Sequence, residues 1–476
     1  MKRIITICLI FAMTLALLAC GAAPAESSSN SQTTAAADGV FKAGFGYANI
    51  TPKQDGLPMA GYSDGRVSAG YMTYLEARAV AVQDEAGEIL VFVTADLSFI
   101  RPKFGKMVME KMVKELGLPE DHIILSGTHT HGSIETESAS SKGVPEFNEM
   151  ASNGMVKAAS LAIEDLKPAE VYVGTAITEN LNFVRRYFMN DGSFTTDNFP
   201  GTGTKVVSHE TQADPQLLMT RFVREGGKDI LITNFQGHPH LEGKFQSVSA
   251  ETVGAMRDAF EAELNVHSLH WQGAAGNLNS RSRIEGETRT QDRKEYAQLM
   301  LGYAKPVFES MTKVSTGPIQ VASYDYVAII DYSRDHLIDA ARQVTDYFKA
   351  GNNAEACKPL ANSLGLVGYH QAMRIVWNYD NGKSFDAKLI AWSFGDVSGI
   401  VTEYELFDTT GMYIKENSPF AQTFIVGYSY PGTGSYIPDA AAFANGGYER
   451  DSCRYISGTA EEMADIYLDL LEQMHK

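Results

Sequence analysis

LSGTHTHGS, residues 125–133, places two histidines one residue apart directly after a short apolar run. Side chains alternate across an extended strand, so His129 and His131 would leave the same face of a strand, whereas on a helix they would diverge by about 200°. The small polar residues after Leu125 mark the mouth of a strand, which is where open α/β sheets usually build their sites. The stretch therefore predicts a strand end that carries a metal or catalytic site.

The pattern on both sides of this stretch predicts an α/β fold. Apolar runs predict strands over residues 79–82, 89–96, 122–126, 171–176, 217–223, 230–235 and 319–330. Helical periodicity predicts helices over residues 103–116, 150–166, 250–264, 290–311, 335–350 and 460–475. The alternation indicates a mixed β-sheet core flanked by helices, and no Pro/Gly/Ser-rich linker divides residues 40–476. We expect one large catalytic domain there, with residues 351–385 as an insertion.

The N-terminal residues have the pattern of an export signal. Lys2 and Arg3 precede an apolar stretch that is shorter than the roughly 20 residues a membrane-spanning helix needs. The sequence LLAC, which ends at Cys20, resembles the bacterial lipobox, in which the cysteine is acylated and becomes the new N-terminus. Residues 1–19 are thus predicted to be a lipoprotein signal peptide, and residues 20–39 a flexible tether. The prediction places the protein at the bacterial cell surface or on the periplasmic side of a membrane, held through acylated Cys20.

The charge and the cysteines exclude some classes of site and partner. The chain has a net charge of −18 without long acidic or basic blocks, which argues against a nucleic-acid partner. Of its four cysteines, Cys8 lies in the predicted signal and Cys20 directly follows it. Whether the other two, Cys357 and Cys453, pair in an oxidising exterior is left open. The absence of a CxxC spacing argues against a zinc site built on cysteines.

A second pair of histidines, His238 and His240 in NFQGHPHLEG, also follows an apolar run. Zinc takes three or four ligands from His, Cys, Asp or Glu, and a catalytic site keeps one position for water. Because the chain has eleven histidines in all, two such pairs at two strand ends favour a zinc site. Capping or hydrogen-bonded loop histidines would give the same pattern, and that alternative stays open. A binuclear metallo-β-lactamase site is disfavoured, because Gly132 and Ser133 follow the first pair where that family has Asp-His.

Eight segments of the chain resemble, in order, those of the neutral/alkaline ceramidases. The segments are AGFGYANITP (43–52), MAGY (59–62), VTADLS (93–98), ILSGTHTHG (124–132), NFQGH (234–238), GAAGNLN (273–279), YELFDTTG (404–411) and YIPDAAAFANGGYE (436–449). Each segment alone is weak evidence, but the ordered series runs from Ala43 to Glu449, and its last segment keeps the family's spacing between Tyr436 and Tyr448. The resemblance implies the family's α/β catalytic fold, a zinc cofactor and the hydrolysis of an N-acyl bond.

The resemblance also implies a set of zinc ligands. The family binds one zinc through two histidines, a glutamate and a tyrosine, which fall here on His129, His238, Glu405 and Tyr436. Two neutral imidazoles, one carboxylate and a phenol leave room for a water on the metal. Without the resemblance, Glu405 would be interpreted as a solvated loop acid beside Glu403, and Tyr436 as a core aromatic.

Three further residues match family positions with roles in catalysis. His131 matches a histidine that exchanges protons with the attacking water or the leaving amine, and Tyr448 matches a donor to the developing oxyanion. The family also uses an arginine, and in NFVRRYFMNDG either Arg185 or Arg186 can supply it. We favour Arg185 and expect an ordinary surface salt bridge for Arg186.

The sequence departs from the family at three points. Asn279 stands where the family carries a serine often assigned as the nucleophile, and a one-residue slip to Ser280 turns that side chain to the opposite face of an extended segment. His240 replaces a small polar residue, where it either supports a metal ligand or contacts substrate. The family continues into a C-terminal β-sandwich, which we do not expect here because one helix follows soon after Tyr448.

These features predict a zinc-dependent amide hydrolase that resembles neutral ceramidase and acts in lipid, and specifically sphingolipid, metabolism. It would cleave the N-acyl bond of ceramide or of a related small-molecule or lipid amide by zinc-activated water, which requires no serine. The alternative is a surface lipoprotein that keeps the fold, with or without zinc, as a non-catalytic binding module. His131, Arg185 and Tyr448 separate the two predictions, because a purely structural zinc site has no use for them.

Overall fold

The computed structural model describes residues 39–137, 141–196 and 205–476. The predicted signal peptide, Cys20 and the tether as far as residue 38 lie outside the described residues. The described residues all belong to one compact unit. Among them, no helix combines the length and the apolar character that crossing a membrane requires.

Strands and helices alternate along the chain. The strands of the described residues are β1 (Lys42–Asn49), β2 (Glu76–Gln83), β3 (Ile89–Ala95), β4 (Ile123–Gly127), β5 (Lys167–Ile177), β6 (Phe183–Val184), β7 (Arg186–Met189), β8 (Phe194–Thr196), β9 (Val206–His209), β10 (Gln216–Arg224), β11 (Asp229–Phe235), β12 (Val266–Gln272), β13 (Leu278–Asn279), β14 (Thr312–Val314), β15 (Ile319–Ile329), β16 (Ser384–Phe394), β17 (Val397–Val401), β18 (Glu405–Leu406), β19 (Gln422–Val426) and β20 (Tyr436–Ile437). The α-helices are α1 (Pro102–Leu116), α2 (Val144–Glu164), α3 (Glu251–Leu264), α4 (Arg293–Phe308), α5 (Ile338–Lys349), α6 (Ala354–Ser363), α7 (Tyr369–Asp380), α8 (Asp408–Asn417), α9 (Ala440–Asn445), α10 (Tyr448–Asp451) and α11 (Thr459–Met474).

The larger sheet is mixed and has nine strands. Its order is β12-β11-β10-β5-β1-β2-β3-β4, and β14 also pairs with β5. The pairs β3/β4 and β11/β12 are parallel, while the other pairs of this sheet are antiparallel. The prediction of a mixed α/β fold with a sheet core and flanking helices is therefore confirmed.

A second sheet, of order β15-β16-β17-β19, covers one face of the larger sheet. Aromatic side chains of both sheets meet between them, with ring centroids 4.7 Å apart for Phe92 and Trp392 and 5.0 Å apart for Trp271 and Phe424. Helices α1 to α4 pack on the opposite face of the larger sheet, and α8 and α11 on the outer face of the smaller one. Strands between two apolar layers have no polar face, as in EARAVAVQ of β2, so the sequence pattern could not divide the strands between two sheets.

Local signals set the ends of the helices. α1 has a proline in its first turn, Pro102, and its last residue, Leu116, is followed by the C-cap Gly117, which has a left-handed backbone with φ of 67°. α4 begins after Asp292, whose side chain accepts hydrogen bonds from the backbone N–H groups of Lys294 and Glu295. Both helices agree with their predicted positions, because periodicity and capping residues point to the same ends.

Three helices, α5 to α7, lie between β15 and β16, and we call residues 338–380 the helical segment. They pack around a small apolar core of their own, which includes Val344 and Cys357. The segment overlaps residues 351–385, where the sequence predicts an insertion. Cys357 and Cys453 are both buried and both free, so these two cysteines do not form a disulfide.

Candidate active site

His129 and His131 lie in the loop that follows β4. The strand ends at Gly127, before either histidine, so the prediction that both leave one face of an extended strand is wrong. His129 instead has a left-handed backbone with φ of 62°, which few residues other than glycine adopt. This turn still brings the two rings together, because their Nε2 atoms lie 3.4 Å apart.

His238 and Glu405 meet His129 at one point. His238 follows the end of β11, and its Nε2 atom lies 3.1 Å from Nε2 of His129. Oε2 of Glu405 is 3.4 Å from Nε2 of His238 and 3.7 Å from Nε2 of His129. His129 and His238 thus come from loops that are distant in sequence and that follow the C-terminal ends of β4 and β11.

Tyr436 reaches the same point from β20. This short strand pairs in parallel with β18, which sets Tyr436 opposite Glu405. The Tyr436 hydroxyl accepts a hydrogen bond of 3.1 Å from Nη2 of Arg185, and Nη1 of Arg185 lies 3.5 Å from Nε2 of His238. The four residues predicted as ligands and the favoured arginine therefore form one buried cluster.

The two candidate arginines point in opposite directions. Arg185 faces the cluster and donates to Oε1 of Glu449 at 2.9 Å and to the carbonyl of Gly276 at 2.7 Å. Arg186 donates to the other oxygen of Glu449 at 2.9 Å and also binds Glu210. The predicted surface salt bridge of Arg186 is wrong, because this side chain is fully buried. Neighbouring residues on extended backbone face opposite sides, which explains why only Arg185 reaches the cluster.

Tyr448 lies in the wall of the cavity beside this cluster. Its ring centroid is 5.5 Å from that of Tyr436 and 6.0 Å from the guanidinium carbon of Arg185. His370 of α7 packs edge-on against it with ring centroids 5.4 Å apart. The predicted site residues that border the cavity are His131, Arg185, His238, Tyr436 and Tyr448.

Burial keeps the histidines of the cluster neutral. Loss of hydration lowers the pKa of His129 to about 3 and holds the pKa values of His131 and His238 well below their usual range. The same loss of hydration raises the pKa values of Glu405 and Tyr436. The neutral imidazole is the form that binds a metal ion.

The acceptors of the cluster fit a metal ion. Nδ1 of His129 lies 2.9 Å from the carbonyl oxygen of Ser98, so Nδ1 carries the proton and Nε2 presents its lone pair to the cluster. Oε2 of Glu405 is buried without a hydrogen-bond partner. His131 offers a further donor, because ligand atoms of His129, His131 and His238 all lie within 4.8 Å of one another. Nitrogen and oxygen donors of this kind suit zinc.

Several residues that contact the cluster cannot be recognised from the sequence. Oε2 of Glu251 accepts a hydrogen bond of 2.7 Å from the backbone N–H of His131, and no sequence signal connects these distant residues. A Cβ atom on Gly61 would come within 2.4 Å of the His131 ring, so this glycine permits the close packing. Glu449 binds Arg185 and directly follows Tyr448 in the last family-like segment. This adjacency is the only feature of the sequence that points to a role for Glu449 in the site.

His240 packs against His131 with ring centroids 4.7 Å apart. Tyr62 contacts both rings, at 4.6 Å from His131 and 5.7 Å from His240. The His240 side chain also lines the cavity. The sequence leaves two roles open for His240, support of a site histidine and contact with substrate. The position of His240 is compatible with both.

Asn279 and Ser280 differ in what they face. Asn279 lines the cavity beside His238. The hydroxyl of Ser280 donates its hydrogen bond to the backbone carbonyl of His238. The residue at the position of the family serine is thus an amide, and the adjacent hydroxyl contacts the main chain of a predicted ligand.

Residues 41–327 match the family described as neutral/alkaline non-lysosomal ceramidase, N-terminal. The neutral ceramidase of Drosophila pseudoobscura pseudoobscura is 26% identical over 159 residues, which cover 31% of this chain and 23% of that protein. Neutral ceramidase B of Dictyostelium discoideum is 28% identical over 167 residues, which cover 33% of this chain and 23% of that protein. The match thus spans less than a quarter of the length of these relatives.

Solved structures share the fold over most of the chain. The neutral ceramidase from Pseudomonas aeruginosa superposes with a TM-score of 0.69 and 17% sequence identity, over 92% of this chain and 75% of that one. A structure of a ceramidase complexed with C2 gives the same TM-score and identity, over 92% of this chain and 76% of that one.

Proposed function

This chain belongs to the neutral/alkaline non-lysosomal ceramidase family, and on that premise we propose that it is a zinc-dependent hydrolase of linear amides. The proposed reaction is cleavage of the N-acyl bond of ceramide or of a related N-acyl compound. The observation that carries the proposal is the convergence of His129, His238 and Glu405, whose acceptor atoms lie within 3.7 Å of one another beside a cavity.

The residues that would hold zinc are His129, His238, Glu405 and Tyr436. Bound zinc would supply Lewis acidity toward the amide carbonyl and would lower the pKa of water, so that the nucleophilic hydroxide is available near neutral pH. The neutral imidazoles need no deprotonation before they bind. Arg185 would compensate the negative charge of Glu405 and the charge that Tyr436 acquires as a zinc ligand. Its guanidinium donates to the Tyr436 hydroxyl and lies close enough to Glu405 for the two charges to interact.

His131 is the proposed proton carrier. Its Nε2 atom faces the cluster, and burial holds its pKa well below the usual range, so the ring begins the reaction as a neutral base. The ring would take a proton from the attacking water and return it to the nitrogen of the leaving amine. Glu251 fixes the loop that carries this ring by accepting the backbone N–H of His131.

Arg185 and Tyr448 are the proposed donors to the amide oxygen as negative charge collects there. Arg185 is held in place by Glu449 and by the Gly276 carbonyl, so little reorganisation is needed when the charge develops. Ser280 has no role as a nucleophile in this scheme, because its hydroxyl donates to the His238 carbonyl.

The proposed location is the outside of a bacterial membrane, where acylated Cys20 would anchor the chain and the tether would present the hydrolase to lipid amides. The support for it is the signal-like sequence before Cys20. A membrane anchor suits a substrate that resides in a bilayer.

The experiment that tests the proposed function measures amine release from a panel of N-acyl compounds with equal acyl chains, ceramide among them. The purified protein is assayed as isolated, after chelation, and after addition of zinc. We expect amine release that is lost on chelation and restored by zinc. A fully metallated protein that cleaves no member of the panel would contradict the proposal and favour the non-catalytic binding module.

A further inference from the structure

Three arginines from separate parts of the chain converge on the backbone at Thr433 and Gly434. Nη2 of Arg454 donates to the Thr433 carbonyl at 3.0 Å, and Nη2 of Arg374 lies 3.4 Å from the Gly434 carbonyl. A Cβ atom on Gly434 would come within 2.4 Å of Nη1 of Arg101. Three positive charges are therefore gathered around two adjacent residues.

Among the described residues, Arg101 is the one of these three arginines that forms an ion pair, with Glu135 at 3.6 Å. Within the same part of the chain Arg374 forms no ion pair, and Glu403 acts on the charge of Arg454 without forming an ion pair with it. Arg374 comes from α7 of the helical segment and is 4% exposed. Burying a guanidinium without a counter-charge costs free energy, and a bound anion would offset this cost.

Some hydrogen-bond donors of Arg374, Arg454 and the neighbouring Ser452 lack acceptors. The Nε atoms of Arg374 and Arg454 and the hydroxyl of Ser452 are buried and have no hydrogen-bond partner. Burial, and to a smaller extent the charge of Arg454, lowers the pKa of Arg374 to about 9. We call Arg374, Arg454 and Ser452 the arginine subsite.

The arginine subsite opens into the candidate active site. Its three residues line a cavity of about 450 Å³ whose wall also includes Glu405, Tyr436 and other residues of the metal-binding cluster. A cavity of this size suits a small molecule or the polar part of a lipid. One bound molecule can therefore contact both the cluster and the subsite.

We infer that the protein prefers N-acyl substrates that carry an anionic group, a carboxylate, sulfonate or phosphate, and that the arginine subsite binds this group. The inference rests on the proposed function and narrows its substrate class. Guanidinium groups bind oxyanions through paired, charge-assisted hydrogen bonds, and the Ser452 hydroxyl adds one more donor. A neutral amide would leave the buried guanidinium of Arg374 without a counter-charge.

The test compares four amides of one acyl chain: N-lauroylglycine, N-lauroyltaurine, N-lauroyl-phosphoethanolamine and the neutral N-lauroylethanolamine. We expect the wild-type protein to cleave at least one anionic amide with a kcat/KM about tenfold or more above that of the neutral amide. Arg374→Gln should lower kcat/KM for the preferred anionic amide about 10- to 100-fold, because a charge-assisted hydrogen bond is lost, and change the neutral amide less than about twofold. Which of the three anions is preferred identifies the acidic group.

Arg342→Gln is the matched control, because Arg342 is an exposed arginine of the same segment that pairs with Asp380. It should change neither class of substrate. Equal losses on anionic and neutral amides in Arg374→Gln would overturn the inference, since they would mark Arg374 as structural. If that variant does not fold, Arg454→Gln takes its place with the same expected result.

Calorimetric binding of the preferred anionic amide to chelated protein separates this inference from the proposed function. Wild-type protein without metal should bind the amide, and Arg374→Gln should weaken the binding about tenfold or more. Binding that requires zinc, or that is equal in the two proteins, would overturn the inference. If no amide of the panel is cleaved, the same titration uses N-lauroylglycine, and arginine-dependent binding then means that the subsite stands while the proposed hydrolase activity fails.

Discussion

The hydroxyl of Ser280 donates a hydrogen bond to the backbone carbonyl of His238, and both side chains are buried. A serine nucleophile needs a base that accepts its proton, and a peptide carbonyl is not such a base. The hydrogen bond instead links Ser280 to the main chain of the loop that carries His238, a proposed metal ligand.

The first prediction follows from this contact. Ser280→Ala should lower kcat less than about tenfold and lower the free energy of unfolding by about 1 kcal/mol, since one buried hydrogen bond is lost. Steady-state kinetics and urea denaturation measure the two effects. An acyl group trapped on Ser280, or a complete loss of turnover in a folded and metallated variant, would restore a serine mechanism.

Tyr448 should behave differently. Tyr448→Phe should lower kcat about 10²- to 10³-fold, because it removes a donor to the developing oxyanion, while zinc content stays unchanged. Metal analysis and kinetics on the same preparation measure both quantities. Tyr324→Phe is the control, because Tyr324 is an exposed tyrosine of β15 and should keep full activity. Unchanged kcat in Tyr448→Phe would remove this residue from the mechanism.

The metal site is tested by removal of single imidazoles. His129→Ala and His238→Ala should each lose bound zinc, because each deletes one of the converging nitrogen donors. His336→Ala, at an exposed histidine far from the cluster in sequence, should keep it. Zinc per chain is measured by mass spectrometry, with circular dichroism as the check on folding. Full occupancy in either cluster variant would show that the ligand set is wrong.

The anchor is tested at Cys20. Protein expressed with its own N-terminus should partition with membranes, because acylation adds an apolar anchor, and Cys20→Ser should shift to the aqueous fraction. Immunoblots of the separated fractions measure the distribution. Identical partitioning of the two proteins would exclude Cys20 as the anchor.

A buried histidine away from the cluster predicts loss of stability in acid. Burial lowers the pKa of His270 to about 3, while Nδ1 of this ring contacts the Thr233 hydroxyl at 2.9 Å. As the pH falls from 6.5 toward 3, the unfolded chain binds a proton that the folded chain excludes. Stability should therefore fall by up to about 1.4 kcal/mol per pH unit from this residue alone.

His270→Gln should reduce this pH dependence, because glutamine does not titrate. Urea unfolding of both proteins at pH 7.0, 6.0 and 5.0 gives the difference in slope, and the other buried histidines contribute equally to both proteins. Parallel stability curves for wild type and variant would show that His270 is not excluded from protonation.

Much of the fold follows from local patterns. Helices such as α1 and α4 are predicted because apolar periodicity and end signals agree over many residues. β12 is not predicted because His267, Ser268 and His270 interrupt its apolar run, VHSLHWQ, and the polar members are accommodated only through tertiary contacts such as that of His270 with Thr233. The separation into two sheets depends on long-range pairing, which no short window of sequence contains.

The site divides in the same way. The histidine pairs can be recognised in the sequence because two imidazoles recur after predicted strands. The strand geometry predicted for the first pair is wrong, because the left-handed backbone of His129 is a local conformation that the sequence THTH does not reveal. Glu405 and Tyr436 could be identified only through family resemblance. Arg374 could not be identified at all, because its significance lies in the charges that the fold brings beside it.

The helical segment has a consequence for how this protein can change over generations. Its helices enclose a core of their own, while the four proposed metal ligands lie in loops and strands outside the segment. Mutations that alter the segment's contribution to the cavity can therefore accumulate without replacing any of the proposed metal ligands. Under the proposed function, selection can act on the choice of substrate and on the rate of bond cleavage as partly separate traits, and exchange of this segment between homologues becomes a route to altered substrate preference.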